Sequence, residues 1–293
     1  MPLAADFRAR SAVNYRHAFH AGNFADVFKH VLLSRMLIYL TRKETPLRYI
    51  DTHAGRGHYD LAGDESERGG EWRDGIGRVA KADIPADIEA LLKPWLDIAR
   101  LRTGADLFEY PGSPLIARAL LRPMDRLILC ELHPRDEPRL EKAIGRDRSV
   151  KTFNMDGYVA LNANVPPPER RGLALIDPPF EDRGEFDAMS AALLKAWRKW
   201  PTGVYALWYP LKRPTEAAAF SEGLAQAGVK RVLRLEIEVA AHKEIGPLTG
   251  CGMLVVNPPF ALEAEARLIL PWMTDLLARD AAAKWRVDWV AGE

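Results

Sequence analysis

The sequence predicts an α/β fold, a doubly wound and mostly parallel sheet of seven strands with helices between them. Short apolar runs recur along the chain, and stretches with helical periodicity separate most of them. Several of these runs end in an acidic residue and a turn, as buried strands do at the carboxyl edge of a parallel sheet. The last two runs are joined only by the short Gly/Pro-bearing connection Ala241–Gly252. They can pair as a hairpin, which makes one strand antiparallel.

The elements follow in order. A helix is expected over about 23–42, with Asn23 as N-cap and apolar spacing at Val27, Val31, Leu32 and Met36. Strands are expected at Leu47–Asp51, Arg126–Glu131, Val150–Met155, Leu173–Asp177, Val204–Tyr209, Val232–Val239 and Met253–Asn257. Helices are expected at about 114–121, 134–144, 157–163, 185–200, 214–227 and 261–280. Residues 60–110 interrupt this rhythm with a glycine-rich polar stretch and then the helical pattern Ile88, Leu91, Leu92, Trp95, Leu96. They read as a small helical insertion between the first and second strands, within a single domain spanning residues 1–293.

Composition narrows the function. The 293 residues are 48% hydrophobic and 28% charged, enough for a large core. No apolar run is long enough for a membrane span, and the N-terminal residues lack the apolar region of a signal peptide. With two cysteines, Cys130 and Cys251, neither a disulfide framework nor a thiolate metal cluster is expected, and the expected compartment is the cytoplasm. Net charge is only +1, yet residues 1–60 hold nine Lys/Arg against five Asp/Glu, and five of the seven histidines. That local excess is a candidate nucleic-acid contact, with Arg16 and Lys29 as candidate phosphate ligands.

The most informative stretch is Leu173-Ala-Leu-Ile-Asp-Pro-Pro-Phe180. Two prolines cannot continue a strand, because each lacks an N–H and fixes φ, so the chain turns where open α/β sheets place their ligands. Asp177 and the carbonyls of Pro178 and Pro179 become acceptors, and Phe180 supplies a flat face beside them. This suits a planar group carrying an exocyclic amine. Upstream, Asp51-Thr-His-Ala-Gly-Arg-Gly57 runs from a strand into a turn whose N–H groups can cradle a carboxylate. A dinucleotide fold fits poorly: Asp60 stands where the third glycine of G-x-G-x-x-G should be. A Walker A loop is absent from the sequence. Glu131, at a strand end, can accept both hydroxyls of a ribose, and Asp156-Gly157 is placed to meet an adenine edge.

In that order the motifs resemble those of class I S-adenosylmethionine-dependent methyltransferases, with Asp-Pro-Pro-Phe as the motif IV of enzymes that methylate amino groups of adenine or cytosine. The stretch Asn14-Tyr-Arg-His-Ala-Phe-His-Ala-Gly-Asn-Phe-Ala-Asp-Val-Phe-Lys-His30 is more specific. Together with Tyr110-Pro-Gly-Ser-Pro114, Glu131-Leu-His-Pro134 and Ala206-Leu-Trp-Tyr-Pro210, it resembles the large-subunit ribosomal RNA methyltransferase J family over about residues 14–290. Phe180 replaces a tyrosine common after Pro-Pro, and Phe24 stands where a histidine can occur.

The resemblance implies N6 methylation of an adenine in 23S rRNA, the one conventionally numbered 2030, with S-adenosylmethionine as cofactor. It implies that His30 and His53 meet the cofactor near its amino-acid end, Ser113 binds it from the end of the insertion, and Glu131 takes the ribose. Asp156 and Gly157 would take the adenine edge, Asp177 would orient the target amine, and Tyr15 would touch the RNA. Asp177, Pro178 and Phe180 are thus the expected catalytic residues. A metal site is not expected, since His17, His20 and His30 lack ligand spacing; a monomer is expected. Two other readings stay open: a DNA adenine methyltransferase, and an inactive RNA-binding protein on the same scaffold. A second motif, Asn257-Pro-Pro-Phe260, follows the seventh strand rather than the fourth and is expected to be a structural turn.

Overall fold

The computed structural model describes residues 16–103, 109–243 and 245–292. Tyr15, the expected RNA contact, lies outside the described residues. Among the described residues a 3-10 turn (His17–Phe19) precedes α1 (Phe24–Thr41) and β1 (Arg48–Asp51), and the insertion follows: β2 (His58–Asp60), α2 (Asp64–Gly69), α3 (Ile76–Val79), α4 (Ala86–Thr103) and β3 (Glu109–Pro111). It continues through α5 (Ser113–Leu120), β4 (Arg126–Cys130), α6 (Glu137–Ile144), β5 (Val150–Phe153), α7 (Gly157–Asn164) and β6 (Gly172–Ile176). The last part holds α8 (Glu185–Lys199), β7 (Val204–Pro210), α9 (Pro214–Gln226), β8 (Val232–Glu238), β9 (Gly250–Val256), α10 (Leu262–Leu277) and β10 (Lys284–Ala291).

The main sheet runs β10-β8-β9-β7-β6-β1-β4-β5. β1 lies at its centre, parallel to β4 on one side and β6 on the other, with Tyr49 opposite both Leu127 and Leu173. Helices cover both faces, which explains the continuous apolar runs. Tyr49, Leu127, Leu129, Leu173 and Leu175 face the core shared with α1, α5, α10 and the insertion. Ile50, Ile128, Cys130, Ala174 and Ile176 face the core shared with α7, α8 and α9. The chain crosses from β1 to β4 one way and from β6 to β7 the other, so the carboxyl ends of β1 and β6 flank the switch point where a ligand crevice opens.

The expected seven strands are present, and β8 and β9 pair antiparallel. Among the described residues the sheet nevertheless has eight strands, a correction to the count: β10 adds to the outer edge, antiparallel to β8. Its signal was the alternation Trp285, Val287, Trp289 against Lys284, Arg286, Asp288. A second, two-stranded antiparallel sheet, β2 with β3, closes the base of the insertion, and its strands of three residues are too short for a legible pattern.

Asn257 sits just past β9, which runs opposite to β6, so the two proline motifs lie at opposite edges of the sheet. Its side-chain amide donates to the carbonyls of Pro201 and Gly203, both at 2.8 Å. The motif is a clasp on the β7 entry turn, as its chain order led one to expect. Asn257→Ala should lower unfolding free energy by about 1–2 kcal/mol, the scale of two hydrogen bonds, and reduce Tm by a few degrees. Methyl transfer by the folded variant should stay near wild type; calorimetry and an activity assay check both.

Candidate active site

A cavity of about 350 Å³ opens at the carboxyl edge of the sheet. Its wall includes His30, His53, Ser113, Glu131, Asp156, Gly157, Asp177, Pro178 and Phe180, so the structure brings together all the sequence-derived site residues that it describes.

On the cofactor side, Glu131 follows β4, and its two oxygens accept from the backbone N–H groups of Gly55 and His133, each at 2.7 Å. Those bonds fix the carboxylate and leave further lone pairs for vicinal hydroxyls. Burial pushes its pKa up to about 7. Gly55 has φ +62, and a side chain there would collide with the Tyr59 hydroxyl. Asp51 ends β1 fully buried; Tyr49 and Ser113 donate to its Oδ2 at 2.8 and 2.7 Å. Its Oδ1 has no hydrogen-bond partner among the described residues, and burial raises its pKa to about 6. A buried carboxylate oxygen with a vacant acceptor suits a cationic N–H donor. Asp51 was quoted in the sequence motif without a role; its place at the strand end was the available signal.

Asp156 caps α7, its Oδ1 accepting from the N–H groups of Tyr158 and Val159. Beside it, a Cβ on Gly157 would stand 2.0 Å from the Thr52 carbonyl oxygen, so only glycine lets α7 start this close to the end of β1. His53 Nδ1 lies 2.8 Å from the Thr52 hydroxyl, and His30 Nδ1 lies 2.8 Å from the Tyr110 hydroxyl. Burial drives the His30 pKa down to about 3, which keeps the ring neutral.

On the other side, Asp177 follows β6 and is only partly buried. Its Oδ2 accepts from Lys29 Nζ at 2.6 Å, and the same ammonium lies 2.9 Å from Asp26 Oδ1. Burial opposes the charge on Lys29, but the carboxylates of Asp177 and Asp26 hold its pKa well above the usual lysine value. Burial likewise opposes charge on Asp26, and His17 and Lys29 outweigh it, holding that carboxyl well below the usual range. Lys29 therefore does not belong to a phosphate-binding face; with 6% exposure it is spent inside the site, which corrects the sequence expectation. Arg16 pairs with Glu65 of the insertion. Phe180 stands at φ +51, unusual for an aromatic residue, and packs edge-on against Phe186 and Trp208.

A family model described as "Ribosomal RNA large subunit methyltransferase D, RlmJ" matches residues 44–291. The chain belongs to this family. It is 40% identical to the ribosomal RNA large subunit methyltransferase J of Haemophilus influenzae, over 96% of this chain and 100% of that protein. It is 38% identical to the Escherichia coli protein of the same name, with the same coverage of both chains. A Legionella pneumophila protein of known structure, 36% identical, superposes with a TM-score of 0.84 over 92% of this chain and 98% of that one.

Replacing Lys29 by Ala leaves two carboxylates without their shared cation in a buried place. Unfolding free energy should fall by about 3–5 kcal/mol, read by denaturant titration. An unchanged midpoint and slope would mean that water already solvates the pair.

Proposed function

We propose that this chain methylates the exocyclic N6 amine of an adenine in large-subunit ribosomal RNA, at position 2030 of 23S rRNA by family resemblance, with S-adenosylmethionine as the methyl donor. The observation that carries the reading is Asp177, an acceptor fixed by Lys29 at the strand end beside two prolines and the Phe180 ring. Family membership supports the ribosomal RNA substrate.

The cavity residues fit the cofactor. The braced Glu131 carboxylate suits the two ribose hydroxyls. His30 and His53 would stand near the amino-acid end, Ser113 would orient Asp51, and Asp156 with Gly157 would border the adenine. When bound, S-adenosylmethionine supplies an electrophilic methyl group on a sulfonium.

The chain's own residues then have distinct tasks. Asp177 Oδ2 is held by Lys29, which leaves Oδ1 to accept one amine proton, while the Pro178 carbonyl accepts the other. These bonds draw the amine from planar toward tetrahedral geometry and aim its lone pair, so catalysis is mainly positioning and electrostatics. Lys29, its pKa held well above the usual lysine value, cannot take the proton that leaves; its task is to hold the Asp177 carboxylate in place. Phe180 and Trp208 offer faces for a base drawn out of its stack. The insertion shares the α1–α10 core through Ile76, Val79, Leu92 and Trp95, which supports folding as one domain.

Asp177→Ala should abolish methyl transfer to an rRNA fragment while changing S-adenosylmethionine affinity no more than a few-fold. Radiolabel transfer and calorimetry test this, and retained turnover would refute the assignment. Cofactor affinity should also depend on pH through Glu131. Its raised pKa means that the acceptor form is lost as pH falls through about 7. The dissociation constant should therefore rise on going from about pH 8 to about pH 6, and Glu131→Gln should bind weakly with a flatter profile.

A further inference from the structure

The connection between β8 and β9 has a fastened base and a protruding apolar tip. At the base, Val239 N–H donates to the Thr249 carbonyl at 2.8 Å. The segment after α10 clamps it again: Arg279 N–H donates to the Val239 carbonyl, Asp280 accepts from Ala241 N–H at 3.0 Å, and the Arg279 guanidinium reaches the Leu248 carbonyl. At the tip Ile245 is 91% exposed, more than any other large apolar residue among those described.

Position gives the tip a meaning. The Leu211 N–H donates to the Gly250 carbonyl, so this loop rises beside the carboxyl end of β7, next to the Asp177 strand end. Gly246, Pro247 and Leu248 form part of the active cavity together with Trp208, Pro210 and Lys212. Bases accompany the tip: His242, Lys243 and Lys212 are exposed, against Glu244 of the loop sequence and Asp280, which clamps the loop base near Lys243. An apolar point in a basic setting at the mouth of a nucleobase site is the arrangement of a wedge that enters a base step.

We infer that Ile245 is a positioning residue that enters the RNA stack vacated by the target adenine and holds that base out in the cavity, with Lys243 and Lys212 on the flanking phosphates. The inference rests on the adenine-N6 reading above. Burying the side chain against base faces compensates for stacking lost when the adenine leaves, so the wedge matters only for a stacked target.

The test compares two synthetic rRNA hairpins, one with the target adenosine stacked in the stem and one with it bulged and unpaired. Ile245→Ala should lower kcat/KM about tenfold or more on the stacked hairpin and less than about twofold on the bulged one. Ile245→Leu should restore most of the loss. With 2-aminopurine at the target position and S-adenosylhomocysteine present, wild type should raise the fluorescence of the stacked hairpin and Ile245→Ala should not. Equal losses on both hairpins, or on neither, would overturn the wedge while leaving the methyltransferase reading intact. Failure of wild type to methylate either hairpin would overturn the adenine reading, and the wedge with it.

Discussion

The site depends on one buried ammonium. Lys29 comes from the first helix and Asp177 from the end of β6, 148 residues later, yet they meet at 2.6 Å. A lysine so fully desolvated is tolerable only with its charge matched, and here Asp26 and Asp177 share it. Asp26 is fastened in turn by the Gly22 N–H, by His17, and by the Asn23 cap at the helix start. Asn23 and His20 both reach Glu71, which brings the insertion into the same network. Geometry at the Asp177 carboxylate is thus set by three segments distant in sequence, joined through Lys29 and Asp26.

Much of this was legible in the sequence because the sheet is buried on both faces. Strands such as Leu173–Ile176 read as unbroken apolar runs, and the acids or prolines just beyond them marked the carboxyl edge. Residues at those ends met in one cavity because a doubly wound sheet leaves them no other place. Lys29 was misread for the opposite reason. Its segment is basic and histidine-rich in composition, which suggests a nucleic-acid face, whereas α1 is buried on all sides through most of its length. The signal that could have found it was an acid and a base three residues apart, Asp26 and Lys29, in a helix whose remaining residues are mostly apolar. Asp51 was given no role, although its place at the end of β1 marks the same edge of the sheet as Glu131 and Asp177.

The two proline motifs show how strand direction divides nearly identical sequences. After the parallel β6, the acid faces the cavity and the left-handed residue is Phe180, which turns its ring toward the site. After the antiparallel β9, the left-handed residue is Asn257 itself, and its amide is consumed by the Pro201 and Gly203 carbonyls. A carboxylate at that position could donate to neither carbonyl, so the Asp/Asn difference follows the hydrogen bonds that each place requires.

If the carboxylate held by Lys29 directs methylation to an adenine amine of the large ribosomal RNA, its loss erases a single modification. The most direct measurement is mass-spectrometric mapping of N6-methyladenine in that RNA from cells lacking this chain, complemented with either the wild-type protein or Asp177→Asn. One modified adenine should disappear without the chain, return with wild type, and stay absent with the variant at equal protein level. An unchanged map in the cells lacking the chain, or full restoration by Asp177→Asn, would contradict it.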